Sequence, residues 1–315
     1  MAKTKESPPG VQAVGESSPT KTQSFRGVKT MDNFNRAQVL VQALPYIQQY
    51  WNRVVVIKYG GHAMENEELK AKVMEDIVLL QLVGVRVVLV HGGGPDINDV
   101  LTKMGVESRF VNGLRVTDKA TADVVQMVLA GKVGKSLVNL IEATGGKAMG
   151  ICGIDGRMVE AKPRNAELGY VGQITHVNIQ PINDLLEKGY IPVISSVGCD
   201  AEGNVYNINA DTMAAQISGA MGAECLISMT DVPGIMLDPN DKDSLVHVAD
   251  INDATDLFRQ GVIKGGMIPK VESCIEALLC GVHKVFILDG RVPHSILLEM
   301  LTDEGSGTMM VGEKK

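Results

Sequence analysis

Two stretches decide how this chain folds: Val54-Val55-Val56-Ile57-Lys58-Tyr59-Gly60-Gly61 and Val87-Val88-Leu89-Val90-His91-Gly92-Gly93-Gly94-Pro95. Each is a short apolar, β-branched run bounded by glycine, the pattern of a parallel strand buried on both faces. Each runs into a glycine loop, where backbone N–H groups can approach an anion with no side chain in the way. A helix pattern follows each loop, and a helix N-terminus also favours negative charge. Two anion cradles with a lysine beside the first suggest two anionic groups held face to face, the arrangement that a phosphoryl transfer needs.

Outward from these stretches, strand and helix patterns alternate from Arg53 onward. Helices are expected over 65–83, 96–104, 119–129, 133–143, 181–188, 211–221, 253–261, 270–280 and 295–300, with strands at 191–194, 225–229 and 284–288 and a last strand after Thr308. Asn112-Gly113 is a hairpin signal, and so is Asp155-Gly156, between Met149–Ile151 and Met158–Glu160 in a β-rich insertion over 147–178. Asn209 or Asp211 can cap the helix that follows. The alternation predicts a three-layer αβα sandwich around a mainly parallel sheet. Phe34, Val39, Leu40, Ala43, Leu44, Ile47 and Tyr50 predict an N-terminal helix over 34–51 that Pro45 kinks or divides. Its apolar face serves either contacts between subunits or packing on its own domain.

Composition narrows the function classes. The chain has 315 residues, 45% of them apolar, enough for one large or two smaller domains. A net charge of −7, no basic stripe and 4% aromatics argue against nucleic acid. The longest apolar stretch, Ile77–Val90, is broken by Gln81 and Arg86, so no membrane span is expected. Five cysteines, with no C-x-x-C pair or metal-ligand spacing, read as free buried thiols in a reducing compartment. Residues 1–30, rich in Ser, Thr, Pro and Lys, are expected to be disordered. They fit an organelle transit peptide remnant and an ordinary tail about equally.

Three familiar owners of glycine loops fail. Gly134-Lys135-Ser136 ends like a Walker A loop, but position 129 is Leu rather than Gly. Gly92-x-Gly94 is followed three residues later by Ile97, not the third glycine of a dinucleotide fingerprint. His91–Gly94 looks like an esterase oxyanion loop, but no Gly-x-Ser-x-Gly elbow accompanies it. What remains is a set of charged residues. Lys58 closes a buried strand, where a lysine is costly unless it meets an anion. Lys270 sits near a helix start after Gly265-Gly266. Asp211 is either a helix cap or the partner of a catalytic lysine. Arg115 is either solvated or a bidentate clamp for a carboxylate.

Taken together and in order, Ile57–Gly61, His91–Pro95, Asn112-Gly113-Leu114-Arg115-Val116-Thr117, Asn207-Ile208-Asn209-Ala210-Asp211 and Gly265–Lys270 resemble the acetylglutamate kinases of the amino-acid kinase family, over roughly residues 36–312. The resemblance implies a kinase domain over 31–315, with an amino-acid lobe at about 53–195 and an ATP lobe at about 196–312. It implies transfer of phosphate from ATP, accompanied by Mg²⁺, to the side-chain carboxylate of N-acetyl-L-glutamate. In that pattern Lys58 and Lys270 stabilise the transferring phosphoryl and Asp211 orients the lysines. Gly61, Gly93 and Gly94 hold oxygens through backbone N–H groups, and Arg115 and Asn207 bind the amino acid. Gly60, Thr230 and Asp231 belong to the ATP side with Lys58, Gly61 and Lys270. Another family member with a different acceptor, or a nucleotide-binding regulatory protein of the same fold, is the competing reading. Arg115 and Asn207 speak against the first. Retention of Lys58, Asp211 and Lys270 speaks against the second.

The helix before the first strand and the stretch from His294 to Thr308 resemble the arginine-inhibited branch, in its plant and algal form. That likeness implies arginine as inhibitor, with Tyr46, His294, Glu304 and Gly307 as its contacts. It further implies a homo-hexamer, a PII signalling protein as partner and a chloroplast location.

Overall fold

The structure is a computed structural model that describes residues 32–64, 66–303 and 305–313. The expected tail over 1–30 and the candidate Glu304 lie outside the described residues. The chain forms two units, up to Gln42 and from Ala43 onward. In the first, helix α1 (Asn33–Gln42) leaves Phe34, Val39, Leu40 and Val41 exposed. The expected N-terminal helix is divided at Ala43, and α2 (Leu44–Tyr50) opens the second unit with Pro45 in its first turn, where a missing N–H removes no helix bond.

The second unit continues with β1 (Val54–Tyr59), α3 (Glu67–Leu82), β2 (Arg86–His91) and α4 (Gly94–Lys103). The Asn112-Gly113 turn joins β3 (Phe110–Val111) to β4 (Leu114–Arg115) antiparallel, with both turn residues at positive φ. A long helix follows, made of α5 (Lys119–Gln126), a π-helical turn over Met127–Val133, and α6 (Gly134–Ala143). Next come β5 (Ala148–Cys152), β6 (Val159–Pro163), β7 (Gly172–Val177), α7 (Gln180–Glu187), β8 (Ile191–Ser195), β9 (Val197–Cys199) and β10 (Val205–Asn207). The remainder is α8 (Ala210–Ala220), β11 (Cys225–Thr230), β12 (Val248–Asp250), α9 (Ile251–Arg259), α10 (Met267–Leu279), β13 (Lys284–Asp289), α11 (Ser295–Leu301) and β14 (Thr308–Val311).

Eight strands form the central sheet in the order β12-β14-β13-β11-β1-β2-β8-β5. Neighbours are parallel except β13 and β14. Alternate side chains of β1 and β2 face opposite layers, as period two requires. Val55, Ile57, Val87 and Leu89 pack with Met74 and Ile77 of α3, Leu137 and Ile141 of α6, and Ile296 and Met300 of α11. Val56, Val88 and Val90 pack with Ile182 of α7, Met213 and Ile217 of α8, and Cys274 and Ala277 of α10. The expected three-layer sandwich is therefore present. The chain crosses from β1 to β2 on one side and returns to β11 on the other. The carboxyl ends of these strands thus border a crevice, the place where open α/β sheets bind ligands.

Two local expectations are corrected. Asp155-Gly156 is not a hairpin tip: it lies in a short 3₁₀ turn, with β5 joining the central sheet while β6 joins a separate four-stranded sheet, β10-β9-β6-β7. The two helices expected at 119–129 and 133–143 are one helix of 25 residues, Lys119–Ala143. Gly134 does not end it. A Cβ there would lie 3.0 Å from Leu129 O, 3.1 Å from Ser195 Oγ and 3.2 Å from His91 Nε2, so the glycine permits close approach. By length and composition this helix could cross a membrane, but its Val124, Val125, Leu129, Val133, Leu137 and Ile141 are buried in the core. Cys152, Cys199, Cys225 and Cys274 are buried free thiols as expected, whereas Cys280 is exposed.

Candidate active site

The two glycine loops leave the sheet side by side, because the register pairs Tyr59 with His91. Gly92 N donates to Tyr59 O at 3.1 Å, and a Cβ on Gly60 would lie 3.5 Å from Gly92 N. Between and above the loops lies a cleft of about 400 Å³. It is lined by Lys58, Gly60, Gly61, Gly93, Gly94, Arg115, Asn207, Asp211, Thr230, Asp231 and Lys270, so every expected substrate, ATP and catalytic residue meets in one place.

Lys58 is held in a nearly buried position at the end of β1, its side chain 9% exposed. Its Nζ lies 2.9 Å from Asp211 Oδ1, in the first turn of α8. Asn209, not Asp211, caps that helix: its Oδ1 accepts from the N–H groups of Asp211 and Thr212 at 2.9 and 3.0 Å. The Asp211 carboxylate is thereby left for the lysine. It was expected to orient both lysines, but Lys270 Nζ instead meets Asp231 Oδ1, at 2.6 Å. Asp231 follows β11, and Lys270 is on the first turn of α10, so this second pair spans the ends of two elements 39 residues apart.

Another part of the lining is built on Arg115, which is buried. Its Nη1 donates to Asn98 Oδ1 at 2.7 Å and to Ser108 Oγ at 2.6 Å, and its Nη2 to Gly94 O at 3.3 Å. The guanidinium stacks over Phe110 at 4.7 Å, and burial lowers its pKa. Thr117 Oγ1 donates to Arg115 O at 2.8 Å and accepts from Asn207 Nδ2 at 3.2 Å. This run of bonds ties the Asn112–Thr117 and Asn207–Asp211 motifs into one wall. Asn98 and Ser108 escaped the sequence reading, because nothing local marks an asparagine or serine as an arginine's anchor.

His91 is fully buried beneath the second loop, its Nδ1 2.8 Å from Gly92 O and its Nε2 2.9 Å from Ser195 Oγ. Burial pushes the imidazole down to about 4, with the Gly92 carbonyl a smaller opposing influence. It is neutral at pH 7.

The residues expected to contact arginine lie elsewhere. Tyr46 of α2 donates its hydroxyl to Asp303 Oδ1. His294, at φ 60°, lies 2.5 Å from the buried Asp76. A Cβ on Gly307 would lie 2.1 Å from Ile287 O.

Two lysines each paired with an aspartate line the same cleft as an arginine and two glycine loops, a set of groups suited to anions. The amino acid kinase family profile matches residues 53–289, which hold all of these charged groups. The chain is 54% identical to a protein of Brachyspira hyodysenteriae named acetylglutamate kinase, over 90% of this chain and 99% of that one. It is 56% identical to a Synechococcus protein of the same name, over 89% and 90%. Among solved structures, the N-acetylglutamate synthase of Neisseria gonorrhoeae, complexed with coenzyme A and N-acetyl-glutamate, superposes with a TM-score of 0.78 at 25% identity, covering 90% of this chain and 65% of that longer one. With the sheet order, the paired loops and these likenesses in agreement, the chain belongs to the amino acid kinase family.

Proposed function

We propose that the chain transfers the terminal phosphoryl group of ATP to the side-chain carboxylate of N-acetyl-L-glutamate, giving N-acetyl-L-glutamyl 5-phosphate, a step of arginine biosynthesis. The observation that carries this reading is one cleft that gathers Lys58–Asp211, Lys270–Asp231 and Arg115, the last bonded to Gly94 O. The curated likenesses support the choice of acceptor. A carboxylate is already ionised at neutral pH, so the acceptor needs no general base. The protein's part is then positioning and charge stabilisation. Arg115 and Asn207 fix the amino acid's polar groups, and the N–H groups of Gly93 and Gly94 face its reacting carboxylate. Gly60 and Gly61 cradle the phosphates, and Lys58 and Lys270 balance the charge that builds on the transferring group and on ADP. Both aspartates of the cleft lie within 2.9 Å of a lysine, a donor set suited to phosphates. Mg²⁺ fits here as the ion that ATP brings, held mostly by phosphate oxygens and water.

Purified protein given ATP and N-acetylglutamate should release ADP and form an acyl phosphate that hydroxylamine traps. Turnover of carbamate, aspartate or unacetylated glutamate instead would move the chain to another branch. Nucleotide binding without ADP release would make it a regulatory protein.

We further propose that arginine inhibits the enzyme and that α1 joins copies of the chain into a hexamer. The exposed Phe34, Val39, Leu40 and Val41 support the second point. For the first, the support is that α2 and the turn before α11 set two of the expected contacts against acids, Tyr46 on Asp303 and His294 on Asp76, and acids suit a guanidinium. Glu304, expected in the same set, lies outside the described residues. A plastid address in residues 1–30 and a PII partner belong to the same proposal. Co-purification with PII tests the partner.

A further inference from the structure

The carbonyl of Leu129 faces two donors. One is Gly134 N–H, five residues on, the spacing of a π turn. The other is Ser195 Oγ at 3.0 Å. The same hydroxyl lies 2.9 Å from His91 Nε2, because β2 and β8 pair His91 with Ser195. On its other side, His91 Nδ1 faces Gly92 O at 2.8 Å. A carbonyl can only accept, so Nδ1 carries the imidazole proton and Nε2 is an acceptor. Ser195 therefore holds one proton between two acceptors, the imidazole and the helix carbonyl. A buried run of polar contacts leads from the π turn through Ser195 and His91 to the backbone of the acceptor loop, with the one Ser195 proton shared between its two acceptors.

Two further contacts join the same parts. A Cβ on Gly93 would lie 2.8 Å from Leu129 Cδ2 and 3.1 Å from Val133 Cγ2, so the loop rests directly on the π turn. Lys132, within that turn, reaches Asp96 in the first turn of α4 at 2.8 Å. A regular α-helix would carry Leu129 O in its own ladder at different spacing and present another face to Gly93. The π turn is thus placed directly under the segment whose N–H groups face the acceptor.

Resting on the N-acetylglutamate reading, we propose that the π turn over Met127–Val133 and the His91–Ser195 pair are the positioning floor of the acceptor cradle, setting where the N–H groups of Gly93 and Gly94 stand. His91 and Ser195 are not among the residues lining the cleft, whereas Leu129 of the turn borders it. Their effect is on alignment, and misplacement by about 1 Å is enough to lower turnover by about a hundredfold.

The test is Ser195→Ala, with His91→Asn as the second variant, since asparagine can still donate to Gly92 O but cannot reach Ser195. Each should lower kcat/KM for N-acetylglutamate about tenfold while the KM for ATP stays within about twofold. The double variant should be no worse than the poorer single one, as members of one chain are not additive. In protein without substrate, amide hydrogen exchange over residues 92–94 should quicken in Ser195→Ala. Equal losses toward ATP and acceptor, additive effects, or unchanged exchange at the loop would overturn the proposal. If His91→Asn does not fold, Ser195→Ala alone decides. Wild-type protein inert toward N-acetylglutamate would remove the substrate reading only, because the exchange comparison needs no substrate.

Discussion

Lys58 Nζ and Asp211 Oδ1 are 2.9 Å apart, one at the end of the central strand and the other in the first turn of the helix that packs on it. The two side chains are of unequal exposure, 9% and 20%. The consequences of removing them should therefore be unequal.

Lys58→Ala should retain the fold and lose most of kcat, by about a hundredfold or more, as expected when a charge that acts mainly in the transition state is deleted. Asp211→Ala should lose activity and also about 3 kcal/mol of stability, because it strands a nearly buried cation. Urea unfolding of both variants reads the difference. Equal destabilisation would count against the asymmetry.

Arg115→Lys keeps the charge and loses the fork that spans Asn98, Ser108 and Gly94 O. The KM for the amino acid should rise by about tenfold or more, with the KM for ATP little changed. Steady-state kinetics with each substrate varied checks this. A change confined to the ATP KM would place Arg115 on the nucleotide instead.

Two buried groups give pH dependences of opposite sign. His91, pushed down to about 4 by burial, is disfavoured as a cation when folded. Its contribution is in place above about pH 6.5 and is lost as pH falls toward about 4. Asp76 is raised to about 6 by burial, against an opposing hydrogen bond from His294. Its contribution is full below about pH 4 and is lost as pH rises through about 6. Between about pH 4.5 and about pH 7.5, His91→Gln should therefore shift the stability balance toward acid, and Asp76→Asn toward base, each relative to wild type. Unfolding free energies at the two pH values test it, and parallel pH slopes in all three proteins would contradict it.

Deleting residues 1–42 removes the first unit and leaves α2, with its buried Tyr50, in place. The truncated protein should remain an active kinase and lose the hexamer, while arginine inhibition, whose candidate contacts Tyr46, His294 and Gly307 all remain, should persist. Light scattering and an arginine titration measure both. A truncated form that stayed hexameric would remove α1 from the interface.

What the sequence made legible follows from how local each signal is. β1, β2 and their loops announce themselves because a buried parallel strand and a glycine turn are written in consecutive residues. The Asn112-Gly113 hairpin and the Asn209 cap are equally local. The Asp155-Gly156 turn misled because its flanking strands satisfy their hydrogen bonds in two different sheets, a choice made by distant partners. The long helix read as two with a break over 130–132, around Gly131, whereas packing on Gly93, His91 and Ser195 carries the chain through as a π turn. Lys270 was recognised as a site residue from its motif, yet its partner was not, because Asp231 is 39 residues away. Ser195 was invisible: a serine at a strand end carries no mark of the histidine it meets across 104 residues.

The order of strands at one edge of the sheet bears on how the protein is made. Among the described residues, β12 (residues 248–250) has its one strand neighbour in β14 (residues 308–311), which also covers the outer side of β13. On the ribosome, β11 and β13 can pair as soon as both have emerged, but β12 waits for about 60 more residues before it has anything to join. Until then the nascent chain displays an unpaired β13 edge, a template for contact with neighbouring chains. Variants that weaken β14, or stop codons just before Thr308, should therefore show themselves as poor yield and aggregation during synthesis before any loss of activity is measured.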